Sequence, residues 1–135
     1  MIPAFNDDGY LPPGIHPATL DEIAERFGSE PELRCVQMES LRWLIDLARR
    51  AGVARIVVNG SFVTDAYEPN DVDCVLLVDP KSVRDRTAVE ELIDGLPFLQ
   101  IYLVEQPDFD VMVEKVFATD RVFVPKGMIE VIAWS

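Results

Sequence analysis

Residues 55–79 constrain the fold of this chain more than any other stretch. They contain two short apolar runs, and a Gly-Ser pair followed by a polar loop separates the two runs. Both runs are predicted to be buried β-strands, the first over residues 53–59 and the second over residues 72–78. The contiguous Ile56, Val57 and Val58 indicate that the first strand is covered on both of its faces.

The second of these strands opens with Asp71-Val72-Asp73. Because side chains on a strand alternate between its faces, Asp71 and Asp73 are predicted to point the same way, about 6–7 Å apart. Two neighbouring carboxylates at the mouth of an apolar strand repel each other and lose hydration, and a divalent cation relieves both penalties. Hard oxygen ligands suit Mg²⁺, so the pair is a candidate metal site. The alternative is a polar strand end with two solvated aspartates.

A Gly-Ser pair upstream of these aspartates favours the metal-site interpretation. A nucleotidyl-transfer site needs bridging carboxylates on a rigid element and backbone N–H groups aimed at phosphates. Gly60 would let the backbone approach the phosphates closely, and Ser61 would add a hydroxyl group. Further along the chain, Lys126 and Arg121 are candidates for phosphate contacts, and the alternative for both is a solvated loop cation.

The remainder of the chain predicts an α/β (α+β) fold with a mixed sheet of about four strands flanked by helices. Residues 1–18 are rich in proline and are expected to form an extended or turn-like segment that lies against the domain. The predicted strands cover residues 53–59, 72–78, 98–104 and 128–134. The predicted helices run from a cap at Thr19 to Phe27, from a cap at Ser29 to a stop at Gly52, and over residues 81–94 and 109–117.

Composition limits the class of protein. With 135 residues, the chain is expected to form a single domain over residues 1–135. A net charge of −12 repels phosphate backbones, so autonomous nucleic-acid binding is not expected. No apolar run is long enough for a membrane span and no signal peptide is recognisable, so a cytoplasmic location is expected. Cys35 and Cys74 are expected to be buried free thiols.

The segment GSFVTDAYEPNDVDCVLLV resembles the signature of the DNA polymerase beta-like nucleotidyltransferase superfamily, a Gly-Ser pair followed by Asp-x-Asp. The flanking segments also resemble a small group of uncharacterised bacterial proteins in the same superfamily. This resemblance implies a nucleotidyltransferase-like sheet, a Mg²⁺ cofactor and transfer of a nucleoside monophosphate from a nucleoside triphosphate. It assigns phosphate binding to Gly60 and Ser61, and metal binding and catalysis to Asp71 and Asp73. Small members of the superfamily often occur with a helical protein partner.

Two departures from the family pattern keep a second function open. Minimal members usually carry Arg-Gly shortly after the serine, where this chain reads VTDA, and active members place a third carboxylate in the next core strand, where Gln100 stands. A neutral amide binds Mg²⁺ less well and cannot act as a general base. Glu105, Asp120 and Glu130 are candidates to replace the missing acid. The alternative is a catalytically degenerate interaction or antitoxin-like subunit, and a weaker third option is a nucleotide or metal sensor.

Overall fold

The computed structural model of the chain describes all of residues 1–135 and has a mixed α/β architecture. In chain order, its five strands and four helices are β1 (Gly14–Ala18), α1 (Leu20–Phe27), α2 (Glu32–Ala51), β2 (Arg55–Asn59), β3 (Asp73–Leu77), α3 (Arg86–Asp94), β4 (Gln100–Val104), α4 (Gln106–Val111) and β5 (Gly127–Val131). A wider π-helical turn at Met112–Val116 continues α4.

All five strands belong to one sheet in the order β1-β5-β2-β3-β4. The central strand β2 pairs antiparallel with β3 and β5, whereas β1 runs parallel to β5 and β4 runs parallel to β3. This register places Asp73 beside Asn59 of β2 and beside Gln100 of β4. Three neighbouring strands therefore carry polar residues at the same end of the sheet.

The sheet has five strands instead of the predicted four because part of the N-terminal segment joins it. Gly14–Ala18 pairs with Gly127–Val131 instead of remaining an extended segment outside the sheet. Pro17 is tolerated in this strand because β1 lies at the edge of the sheet, where a missing backbone N–H is not needed on the outer side. The four strands predicted from the sequence are present and are shorter than predicted, and β5 begins at residue 127, one residue before its predicted start.

The two faces of the sheet support cores of unequal size. A cluster of 25 buried apolar residues includes Val58, Cys74 and Leu76 together with the buried faces of α1, α2 and α3. A cluster of six on the other face includes Val57 and Val75 and packs under α4 and its π-helical turn. The prediction that β2 is covered on both faces is confirmed, because nearly all of its residues are buried, and every residue of β3 is buried as well.

The predicted ends of the first two helices are correct except for the start of α2. Thr19 caps α1 as expected, in a capping box with Glu22. The predicted cap of α2 at Ser29 is wrong: the Ser29 hydroxyl donates to a carbonyl at the end of α1, and α2 begins after Pro31 without a side-chain cap. Gly52 ends α2 in the left-handed conformation that glycine favours, as predicted.

The third and fourth helices begin at other residues than predicted. α3 starts at Arg86 instead of residue 81, because the Asp85 carboxylate accepts hydrogen bonds from the next turn, at Thr87 N–H and Ala88 N–H. Residues 80–82 form a separate 3₁₀ turn. α4 starts at Gln106, three residues before the predicted residue 109, with Pro107 in its first turn.

The composition predicts buried free thiols at Cys35 and Cys74 and no membrane-spanning segment. Both cysteines are free, as predicted, and Cys74 is fully buried in β3. The prediction that Cys35 is buried is wrong, because this side chain is partly exposed. None of the helices combines the length and the apolar composition that a bilayer crossing requires.

Candidate functional site

A cleft of about 880 Å³ opens at the end of the sheet where β2 ends and where β3 and β4 begin. Its lining brings together every residue that was predicted for the site from the sequence, although they are spread over about half of the chain. They are Gly60, Ser61, Asp71, Asp73 and Lys126, and Gln100 lies with them.

Gly60 shapes the turn that follows β2. Its φ of 88° and ψ of −174° lie in a region of backbone conformation that is essentially reserved for glycine. A Cβ atom at this position would lie 3.0 Å from Asp71 Oδ1 and 3.0 Å from Asp73 Oδ2. Both carboxylates therefore converge on the Gly60 α-carbon, and only glycine leaves them this room.

Ser61 binds Asp71 through both of its donors. The Ser61 backbone N–H donates to Asp71 Oδ1 at 2.7 Å, and the Ser61 hydroxyl donates to the same oxygen at 2.6 Å. A backbone hydrogen bond also joins these two segments, because Phe62 N–H donates to the Asp71 carbonyl at 3.1 Å. A phosphate is the predicted acceptor for the Ser61 donors, whereas in this structure a carboxylate oxygen of the chain accepts their hydrogen bonds.

Asp71 and Asp73 occupy different structural positions. Asp71 precedes β3, which begins at Asp73, so the predicted strand opening at Asp71 is too early. Asp73 is buried, and the pKa of its carboxyl group is raised to about 6, first by this burial and then by the neighbouring Asp71 carboxylate. The Lys126 ammonium opposes both effects. Ionised Asp73 therefore carries an electrostatic cost that a neighbouring cation would reduce.

Gln100 stands where the resemblance places a third carboxylate. It is the residue of β4 that pairs with Asp73, and its side chain is exposed to the cleft. Asp71 and Asp73 are thus the residues that could hold a metal ion at this end of the sheet. No group of three or more His, Cys, Asp or Glu side chains in the chain is arranged to hold one.

Of the three acids considered as substitutes, one lines the cleft. Glu105 follows β4 at its opposite end, where it begins α4, and Glu130 forms a two-pronged ion pair with Arg55 at 2.7 and 2.9 Å. Asp120 lines the cleft.

Asp120 organises the loop that carries Lys126. Its Oδ1 accepts hydrogen bonds from the backbone N–H groups of Val122 and Val124, and its Oδ2 accepts one from the Tyr10 hydroxyl at 2.7 Å. The Tyr10 bond, followed by the Val124 bond, holds the pKa of Asp120 below its usual value. This link from the N-terminal segment to the loop has no signal in the sequence, because the two residues are 110 positions apart.

Arg34 supports the loop after Gly60 and was not among the residues predicted for the site. Its side chain is only 5% exposed, and all of its hydrogen bonds go to backbone carbonyl groups. It donates to Phe27, Phe62, Thr64 and Ala66, so three of the four acceptors belong to the loop after Gly60. Burial lowers the pKa of Arg34, and the Asp65 carboxylate partly offsets that effect.

A signal for Arg34 was present in the periodicity of α2. The buried positions of this helix include 34, 38, 41, 45 and 48, which follow the helical repeat. The apolar residues of the first turns, Leu33 and Val36, are predicted to lie on the buried face, but both are only partly buried, and Arg34 and Gln37 are buried instead. The Gln37 amide donates to the Pro69 carbonyl at 2.8 Å. Arg34 and Gln37 therefore both donate hydrogen bonds to backbone carbonyl groups of the loop over residues 62–69.

Comparison with known proteins gives a family without a described activity. No curated protein and no solved structure matches the chain significantly. Residues 3–132 match a family described as a family of unknown function, DUF6932. Because the match covers nearly the whole chain, this protein belongs to the DUF6932 family.

Proposed function

We propose that this protein is a Mg²⁺-dependent nucleotidyltransferase that transfers a nucleoside monophosphate from a nucleoside triphosphate to an acceptor. The observation that carries the proposal is the convergence of the Asp71 and Asp73 carboxylates on Gly60, inside a cleft of about 880 Å³. That volume lies in the range of small-molecule binding sites. The resemblance of residues 60–78 to the superfamily signature supports the same assignment, and a mixed sheet flanked by helices is compatible with a nucleotidyltransferase-like fold.

The donor set of this site fits a hard divalent cation. Asp71 and Asp73 offer carboxylate oxygens, the ligands that Mg²⁺ prefers, and a Cβ on Gly60 would fill the space that the two carboxylates share. Bound there, Mg²⁺ would polarise phosphoryl oxygens and offset the charge of the triphosphate. Two protein carboxylates suffice for such an ion, because Mg²⁺ in nucleotide sites is usually held by one or two of them together with substrate phosphates.

Other residues of the cleft are suited to the phosphates. The Ser61 N–H and hydroxyl converge on one anionic oxygen, and a phosphate oxygen offers the same acceptor chemistry as the Asp71 carboxylate that they bind in this structure. Lys126 and Arg121 line the same cleft from the loop that Asp120 organises. We assign these two cations to the outer phosphates, where they would balance part of the acidic charge of the cleft.

Binding measured with and without the two carboxylates tests the proposal. We expect Mg²⁺ with a nucleoside triphosphate to raise the melting temperature of the wild-type protein, and Asp71→Asn and Asp73→Asn each to abolish that rise. Asp8→Asn is the matched control, because Asp8 lines the cleft outside the carboxylate pair. Transfer of an α-phosphate label to an acceptor would then establish catalysis. A wild-type protein whose stability and calorimetric titration do not respond to any nucleotide would exclude the proposed function.

One observation favours a second function, a binding or antitoxin-like subunit that has lost the chemistry and works with a helical protein partner. Gln100 occupies the place beside Asp73 where a third acid is expected, and no third acid completes a metal group. An amide there can still accept a hydrogen bond but cannot remove a proton from an attacking hydroxyl group.

Substituting Gln100 distinguishes the two functions. If the wild-type protein binds nucleotide without turnover and Gln100→Glu gains label transfer, the chain is a degenerate member whose role is binding. Gln100→Met, of similar size and without acid chemistry, is the control for altered packing at the same position. If the wild-type protein transfers label by itself, the second function is not needed.

A further inference from the structure

The two edges of the sheet differ in how they are protected from pairing with another strand. β1 forms one edge and carries Pro17, which has no backbone N–H to donate. β4 forms the other edge, and its sequence QIYLV contains no proline, no bulge and no charged residue. Edge strands of stable monomers usually carry at least one of these devices, so β4 is an unprotected edge.

The outward hydrogen-bonding groups of β4 are those of Ile101 and Leu103. In its parallel ladder with β3, Gln100 N–H donates to the Val72 carbonyl and the Val104 carbonyl accepts from Val78 N–H. Because residues of a parallel strand alternate in the side to which they bond, the N–H and C=O groups of Ile101 and Leu103 face away from β3. None of the turn and loop hydrogen bonds of the chain reaches them.

We propose that β4 is an interaction surface for a second copy of this chain, which pairs antiparallel with it about a two-fold axis at Tyr102. In this register Ile101 of each copy lies opposite Leu103 of the other, and the two pairs form four backbone hydrogen bonds. Gln100 lies opposite Val104, and the two Tyr102 side chains face each other. The result is a continuous sheet of ten strands with an isologous interface.

The charge distribution along this edge fits a second copy as the occupant. The chain has a net charge of −12, so most of its surface repels another copy, but the nine residues from Leu96 to Val104 contain no charged side chain. In the antiparallel register the nearest acid, Glu105, lies opposite Leu99 of the other copy. The two Glu105 carboxylates are then roughly 20 Å apart, beyond the Debye length of about 8 Å at physiological ionic strength.

Exposed apolar side chains flank this edge. Ile93 near the end of α3 is 69% exposed and Phe98 just before β4 is 52% exposed. Ile101 and Leu103 pack against the larger core but remain only partly buried. A single strand pair with this flank buries less surface than a permanent dimer, so association is expected in the micromolar to millimolar range. Added salt should strengthen it, because screening weakens the repulsion between two acidic chains.

Sedimentation and amide exchange of the wild-type protein test this interface. We expect a monomer–dimer equilibrium that shifts towards dimer as protein or NaCl concentration rises. In the dimer, exchange of the Ile101 and Leu103 amide hydrogens should slow, whereas those of Gln100, Tyr102 and Val104 are protected in the monomer already. A protein that stays monomeric up to millimolar concentration at high salt would overturn the proposal. A dimer in which the Ile101 and Leu103 amides exchange at the monomer rate would also overturn it.

Two substitutions locate the interface. Leu103→Pro removes an N–H that makes no bond within the chain, and by symmetry it removes two of the four hydrogen bonds between copies, so the dimer should weaken by about tenfold or more. Phe98→Asp keeps the strand intact and should weaken the dimer through charge and lost apolar contact. Ile15→Ser at the opposite edge is the matched control and should leave the equilibrium unchanged. Equal dimerisation of all three variants and the wild type would place the interface elsewhere.

Discussion

The wall of the cleft over residues 60–73 and the wall over residues 118–126 are fixed by different kinds of interaction. The first wall begins and ends on strands of the sheet, and the buried guanidinium of Arg34 binds the carbonyl groups of its loop. The second wall is a loop between a π-helical turn and β5, and surface hydrogen bonds to Asp120 hold it together. We call the first the rigid wall and the second the adaptable wall. Asp71 and Asp73, the candidates for metal binding, lie on the rigid wall. Lys126 and Arg121, the candidates for phosphate binding, lie on the adaptable wall.

The largest expected effect is on the rigid wall. Arg34→Met should lower the free energy of unfolding by about 3–5 kcal/mol, because it leaves several buried carbonyl groups without donors. Urea unfolding followed by circular dichroism measures this loss. Arg42→Met is the control, since Arg42 is exposed on the same helix and should change stability little. Similar losses for the two variants would show that the hydrogen bonds of Arg34 do not hold this wall.

Gly60→Ala should have the next largest effect. Alanine is strained at this backbone conformation, and its Cβ would press on Asp71 Oδ1 and Asp73 Oδ2, so we expect a loss of about 3 kcal/mol in unfolding free energy. Gly95 has a similar φ of 93° and ψ of 162°, but a Cβ there would meet nothing within 4 Å.

Gly95→Ala is therefore a matched control for backbone strain alone. It should cost about 1–2 kcal/mol and leave nucleotide binding intact, whereas Gly60→Ala should abolish the binding as well. Equal losses of stability, together with unchanged binding in both variants, would mean that the carboxylates do not depend on the space at Gly60.

The rigid wall was predictable from the sequence because its signals are local. Gly60, Ser61, Asp71 and Asp73 lie within one strand-loop-strand unit, and the period-2 pattern of β3 already places Asp73 on the face that carries Val75. The spacing of these residues along the chain is enough to predict such a unit without knowledge of the rest of the fold.

The adaptable wall and its supports depend on contacts between distant segments. Tyr10 and Asp120 are close together because β1 pairs with β5. No strand was predicted before residue 53, so this contact could not be predicted. Arg34 was missed for a related reason, since a charged residue on an apolar helix face becomes favourable only when a distant loop supplies the carbonyl groups. Such partners leave no periodic pattern in one sequence.

The two walls should respond to pH with opposite signs. The pKa of Asp73 is raised from its model-compound value of 3.8 to about 6, so the folded state prefers the neutral carboxyl, and this contribution to stability is lost as pH rises through 6. Asp73→Asn should therefore stabilise the protein by about 2 kcal/mol above pH 6 and have little effect below pH 4. Urea midpoints at pH 4 and pH 8 measure the difference.

The contribution of Asp120, on the other wall, to stability should change with pH in the opposite direction. Its pKa is lowered, so its contribution to stability is present above the unfolded pKa and disappears as pH falls. Asp120→Asn should therefore be less stable than the wild type near neutral pH and converge with it in acid. Parallel pH profiles for the two variants would contradict the assignment of the two carboxylates to different environments.

The smallest expected effect is that of Tyr10→Phe, which removes one hydrogen bond from the adaptable wall. Loss of the hydroxyl that donates to Asp120 Oδ2 should let the pKa of Asp120 rise towards its ordinary value, while the backbone N–H groups of Val122 and Val124 continue to bind Oδ1. The melting temperature should fall by no more than a few degrees, because the bond lies near the surface. Carboxyl titration by NMR follows the pKa directly.

Tyr67→Phe is the control for the loss of a phenol group, since Tyr67 is 73% exposed and does not line the cleft. It should leave the pKa of Asp120 unchanged. If Tyr10→Phe also leaves that pKa unchanged, the N-terminal segment does not fix the loop, and the adaptable wall depends on its own backbone alone. If Tyr10→Phe instead weakens nucleotide binding as strongly as Gly60→Ala, the two walls are coupled, and the distinction between a rigid and an adaptable wall fails.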